Sequence, residues 1–199
     1  MSVRHPSEAS SIVLLAFTVG MMAIGGCRSP VLDEERDLLG DELPDVEPSE
    51  FHRPGQPCLR CHDSAGGSEP EMVVAGTIFA TPEGRVPVER ARITIEDPRG
   101  NQVTALTNCV GNFFITREEW PDIVFPLRVS APVCGLPLEV DPETVTPSPG
   151  MDSLIHRDGA CAGCHQGAPS ATSPGWVYCY TEQPSVPFEP DASCPGRVP

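Results

Sequence analysis

The sequence contains no lysine: all 13 basic residues are arginine, against 28 acidic residues, for a formal charge of -15 over 199 residues. That leaves no clustered positive field, which excludes the usual basis of nucleic-acid binding. Long apolar runs are also missing. The longest, Ile12 to Ile24, has 13 residues and is too short to span a bilayer. Room for long helices is scarce, because 24 Pro and 18 Gly interrupt the chain, and a helical bundle is excluded. What the chain has in abundance is cysteine. Nine Cys are dense for a cytosolic protein of this size and point to an oxidising compartment or a covalently held cofactor.

Residues 1–26 read as an export signal, with Arg4 in the positive region ahead of the apolar run. The run ends at Ile24-Gly25-Gly26-Cys27, which resembles the lipobox of bacterial lipoproteins. The resemblance implies lipidation of Cys27, cleavage before it and stable membrane anchoring by several acyl chains. By analogy with the sorting rule of such proteins, Arg28 in place of Asp favours the outer membrane, facing the periplasm or the cell surface. Residues 27–50 follow as an acidic tether. Asp33 to Glu50 hold nine carboxylates and one Arg, a composition that predicts extended, unpacked chain.

Two segments carry the chemistry: Cys58-Leu59-Arg60-Cys61-His62 within residues 51–71, and Cys161-Ala162-Gly163-Cys164-His165 at the end of residues 141–165. Both are C-x-x-C-H, the attachment motif of c-type haem. Two thiols three positions apart can add to the two vinyl groups on one porphyrin edge, and the following His coordinates iron. Chance matches in a chain with nine Cys and five His number on the order of 0.01. The competing chemistries are an all-thiolate zinc site built from Cys58, Cys61, Cys161 and Cys164, and redox-active dithiols. Neither calls for a His after each pair.

Of the remaining histidines, His5 leaves with the signal, while His52 and His156 each stand just upstream of one motif. Bis-His ligation, with His62 and His165 proximal and His52 and His156 distal, is the simplest assignment. Which spare His serves which iron is open, and exchange between the two sites would require the haems to lie close together. Met72 and Met151 compete as sixth ligands, although Met commonly fills core gaps instead.

Residues 72–140 read as short strands with frequent turns, the mark of a sandwich. Val73 to Ala80 is apolar and β-branched. Ala91 to Glu96 alternates, which points Ala91, Ile93 and Ile95 at a core. Gln102 to Thr107, Phe113 to Thr116 and Leu127 to Ala131 are further strands, with turns at Asp97 to Gly100 and Asn108 to Asn112. Gly76-Thr77-Ile78, Ala91 to Ile95, Asp97 to Gly100, and Thr107 through Gly111 to Phe113 resemble the motifs of the carboxypeptidase-regulatory-like (transthyretin-like) domain. The resemblance implies a seven-strand Ig-like sandwich without catalytic residues of its own. The expected fold class is therefore mainly β, a small sandwich flanked by two haem-binding segments, with an irregular Pro-rich tether and tail.

Cys109, Cys134, Cys179 and Cys194 are left over, an even remainder that predicts two disulfides. If the Phe113 and Leu127 strands pair antiparallel, Cys109 and Cys134 fall at the same end, and Cys179–Cys194 closes the tail, residues 166–199. Trp176, Tyr178, Tyr180 and Phe188 in that tail are candidates to cover the second haem. Export, anchoring, two haem motifs and a sandwich together resemble small bacterial outer-membrane cytochromes. The likeness implies a dihaem electron carrier, not an enzyme, and the acidic charge suggests a redox partner with a basic docking surface. The alternatives are a ligand- or protein-binding lipoprotein and a haem enzyme with one open iron.

Overall fold

The alternating stretch around Ile93 and Ile95 is the centre of the fold. In a computed structural model, which describes residues 29–40, 46–84, 86–134, 150–179 and 194–195, it forms β2 (Arg92–Glu96). Strand β1 is Met72–Thr77, β3 Gln102–Leu106, β4 Asn112–Thr116 and β5 Arg128–Val129. The protein is mainly β, with two small antiparallel sheets ordered β1-β4 and β3-β2-β5. The β2–β3 ladder is unbroken from Arg92↔Leu106 to Glu96↔Gln102.

Both sheets feed one core. Val74, Phe113 and Ile115 come from the first sheet and Ala91, Ile93, Ile95 and Val129 from the second and its flank. Burying each Ile contributes about 1.5–3 kcal/mol. The alternation rule held for Ala91, Ile93 and Ile95, but Arg92 and Thr94 are buried too. Strand β2 is the middle strand of its sheet, so both of its hydrogen-bonding edges are paired.

Turn chemistry sets the register. Asp97 closes the β2–β3 turn: its carboxylate accepts from the backbone N–H of Arg99 and Asn101 and from both side chains. Burial pushes that carboxyl up, but these bonds outweigh it and hold the group below its ordinary value. Gly111, at φ +78°, makes the β3–β4 turn; a Cβ there would strike the Ile78 carbonyl.

Two expectations need correction. The seven-strand sandwich is replaced, among the described residues, by five strands, and β5 has only two residues. Pro126 and Pro132 bracket β5 and remove the donors that would lengthen it. The segment from Gly150 to Ile155 supplies further bridges to Ser130 and Leu127. The tether is not extended throughout. The chain divides into two units, Met1–Leu38 and Leu39–Pro199, and the first contains a helix, α1 (Pro30–Asp37). Pro30 opens it, Asp33 lies in its first turn and Arg36 in its last, and the two pair at 3.5 Å. Composition alone missed these end signals.

The export signal, Cys27 and Arg28 lie outside the described residues, as do Tyr180 and Phe188. Among the described residues no helix is long and apolar enough to cross a membrane.

The disulfides are Cys109–Cys194 and Cys134–Cys179, each with Cα atoms 5.9 Å apart. All four predicted cysteines are bridged, but the expected pairing is wrong. It assumed that the Phe113 and Leu127 strands are neighbours. Instead β4 pairs with β1, and β5 pairs with β2 in the other sheet.

Candidate haem-attachment sites

Each C-x-x-C-H segment coils into a single helical turn. Residues 59–62 form the short helix α2, and Cys161–Gly163 is a 3-10 turn. The backbone N–H of His62 bonds the Cys58 carbonyl at 3.0 Å, and that of His165 bonds the Cys161 carbonyl at 2.9 Å. One turn puts positions i, i+3 and i+4 on one face, so each motif shows two thiols and an imidazole together. The four motif cysteines are unbridged. An inner residue of each turn, Leu59 and Ala162, is buried.

Both motifs rest on β1. Leu59, Met72, Ala75 and Ala160 form a second hydrophobic cluster, with Cys58 and Phe114 packed on it. The backbone N–H of Ala75 donates to the Gly159 carbonyl at 3.1 Å, which lays the second motif parallel along the free edge of β1. Arg60 of the first motif reaches Asp158, beside the second, at 3.9 Å. Burial first, then the nearby Cys58 thiol, pushes the Cys161 thiol up to about 12. Burial pushes Cys58 up to about 11.

The imidazoles are aimed by main-chain carbonyls. Nδ1 of the buried His62 lies 3.1 Å from the Pro70 carbonyl oxygen, and Nδ1 of His165 lies 2.9 Å from that of Gly175. Nδ1 of His52 contacts the Ser49 carbonyl. For His62 and His165, an Nδ1–H donated to the carbonyl would leave Nε2 free to ligate, whereas His52 Nδ1 also accepts from the Ser49 backbone N–H at 3.3 Å.

His52 faces His62. Their ring centroids are 5.8 Å apart and tilted by 40°. Two imidazoles sharing one metal through bonds of about 2 Å stand about 6 Å apart, centre to centre. Both line a cavity of about 530 Å³ together with Cys58 and Cys61 and an apolar wall of Pro57, Pro70, Met72, Phe113 and Phe114. Its size is in the range of small-molecule and cofactor sites. Cys58, Cys61, His62 and His52, residue types that a c-type haem attachment site uses, thus line one cavity. Arg53, which also lines the cavity, donates to the Leu39 and Gly40 carbonyls and to Gln56 Oε1.

How six residues bring His52 round to face its own motif is visible in the backbone. Arg53 and Gly55 both take positive φ, +51° and +80°. Gly55 N–H donates to Thr77 Oγ1 at 2.7 Å, Thr77 Oγ1 donates to Asn112 Oδ1 at 2.8 Å, and Asn112 Nδ2 donates to the carbonyls of Glu50 and His52. The Trp176 ring packs on Gly55 and Phe79. That tail residue therefore braces the first site, while its neighbour Gly175 serves the second.

The second site is more open. Cys164 and His156 are exposed, and His165 is half-buried. Among the described residues His52–His62 is the one histidine ring pair, so His156 is not brought to a ring partner. Met151 packs against the main core and Met72 lines the first cavity. Tyr178, an expected cover, is 38 % exposed. Among the described residues no three His, Cys, Asp or Glu side chains converge as a metal-holding group.

Sequence reasoning missed Pro70, Gly175, Thr77 and Asn112. The first two act through carbonyls, which leave no mark in a sequence. Searches of protein families, of curated proteins and of solved structures return no match to this chain.

Proposed function

We propose that the chain is a membrane-anchored dihaem c-type cytochrome that transfers electrons in the periplasm or at the outer membrane, on an Ig-like, transthyretin-like sandwich scaffold. The observation that carries this reading is the first cavity, which Cys58, Cys61 and a carbonyl-aimed His62 line together with His52, the two imidazole centroids standing 5.8 Å apart. A bound haem supplies a one-electron iron couple. The chain supplies the rest. Cys58, Cys61, Cys161 and Cys164 are the covalent anchors, His62 and His165 the proximal ligands, and His52 the distal ligand of the first site. Pro70 and Gly175 hold the proximal rings in one orientation. Phe113, Phe114, Met72 and Pro57 form an apolar wall that would shield a bound haem from water and so tune its potential. Were His62 and His52 both to hold the iron of a bound haem, no position would be left there for substrate, which suits outer-sphere electron transfer. Lipidation at Cys27 would hold the unit at a membrane, and its acidic surface suits a basic redox partner.

A second reading, a haem enzyme or sensor with one open iron, is favoured by one observation: His156 is exposed and has no ring partner among the described residues. One preparation tests both. Residues 27–199 are expressed with a periplasmic signal and haem-attachment machinery, and the pyridine haemochrome and the oxidised and reduced spectra are recorded. Two covalent haems, both low-spin, are expected of the carrier. One high-spin haem that binds carbon monoxide transfers the assignment to the second reading, and absence of haem overturns both.

A further inference from the structure

We infer that the two haem-attachment sites form one electronically coupled pair across β1, not two independent centres at opposite ends of the sandwich; the inference rests on the reading above. Strands of this length run about 17–20 Å, so motifs at opposite ends would hold their cofactors apart. The chain does the reverse. The second motif is bound to the edge of the strand on which the first one packs, through the Ala75–Gly159 hydrogen bond of 3.1 Å and the Ala75↔Ala160 bridge. Leu59 of the first motif and Ala160, next to Cys161, belong to one hydrophobic cluster.

Two glycines make this approach close. A Cβ at Gly76, inside β1, would stand 2.8 Å from Cys161 Sγ and 2.9 Å from the Phe113 ring. A Cβ at Gly159 would collide with the Val73 carbonyl. Neither contact survives a side chain, so the absence of one at both positions lets the second anchor thiol settle directly on β1. The Arg60–Asp158 ion pair then joins the two segments on their solvent side. It is half-exposed and contributes little energy, so the β1 contacts carry the approach and the ion pair only marks it.

Exciton coupling in the Soret circular dichroism of the full mature protein tests this, with both haems first verified by mass. The wild type is expected to give a two-signed couplet. Two single-haem variants, Cys58→Ala with Cys61→Ala and Cys161→Ala with Cys164→Ala, are each expected to give a one-signed band whose sum does not reproduce the wild type. A wild-type spectrum equal to that sum overturns the coupling while leaving the dihaem reading intact; a protein without haem overturns the reading itself. A measurement without variants guards against misfolding. The electron paramagnetic resonance of the fully oxidised wild type should be broadened relative to the half-reduced protein, and an unchanged line shape counts against coupling. Gly159→Val, which forces the strap off β1, should lose the couplet while retaining both haems by mass; a couplet of full amplitude overturns the proposed contact.

Discussion

Asn112 donates from Nδ2 to the carbonyl oxygen of His52 at 3.0 Å, and so ties a β-turn to the ring that faces His62. The same side chain accepts from Thr77 Oγ1 and donates to the Glu50 carbonyl. Three partners on one buried amide make it a positioning residue for the distal histidine. Asn112→Ala should cost about 1–3 kcal/mol through the orphaned groups and convert part of the first haem to high spin. Asn112→Asp, which keeps only the acceptor, should do the same less severely. Stability by denaturant titration and spin state by absorbance separate the two effects. An unchanged spin state in a destabilised Asn112→Ala would reduce the residue to a structural one.

His52 and His156 should behave differently. His52→Ala should open the first iron and create one carbon monoxide-binding haem per chain. His156→Ala should leave the first site's spectrum untouched, since His156 is exposed and lies outside that cavity. Equal spectral changes from the two substitutions would contradict the asymmetry of the two sites.

The cross-links enclose long loops. Cys109–Cys194 spans a separation of 85 residues and Cys134–Cys179 spans 45. In the chain-entropy model such loops are worth roughly 4.5 and 4 kcal/mol. Replacing Cys134 and Cys179 together by Ser should lower the unfolding free energy by about that amount. Non-reducing peptide mapping should recover Cys109 joined to Cys194. Recovery of Cys109 joined to Cys134 would instead restore the sequential pairing.

Thiol reactivity gives a pH signature in protein expressed without haem attachment. Burial holds Cys161 up at about 12 and Cys58 up at about 11. Both should remain protonated at neutral pH and resist iodoacetamide, while the exposed Cys164 reacts first. The linkage has a definite sign. Folded values above the ordinary 9.0 mean that the folded state keeps its protons longer than the unfolded one. Their stabilising contribution is complete below pH 9 and falls as pH rises through about 11 to 12. Denaturant midpoints across that window check it, and a flat alkaline limb would contradict the burial of these thiols.

Much of the scaffold was legible in the sequence. Ala91, Ile93 and Ile95 were assigned to the core by alternation alone, and the turn residues Asp97 and Gly111 stand where their chemistry requires. The two C-x-x-C-H segments were legible as motifs because covalent geometry dictates their spacing. Cys pairing was not, because it depends on which strands are neighbours, and β4 and β5 went to different sheets. The placement of His52 beside His62 was not legible either. It depends on two positive-φ residues and on the Thr77–Asn112 hydrogen bond, which joins positions far apart in the chain.

Strand β1 has β4 on one side, and the Gly159–Ala160 strap covers the other. Beyond the strand's end, Phe79 continues the pattern by donating to the Val177 carbonyl and accepting from Cys179. The Gly159–Ala160 strap therefore also has a protective role. It fills hydrogen-bonding positions that a foreign strand would otherwise seek, and a chain truncated before it would present an apolar, β-branched edge primed for aggregation.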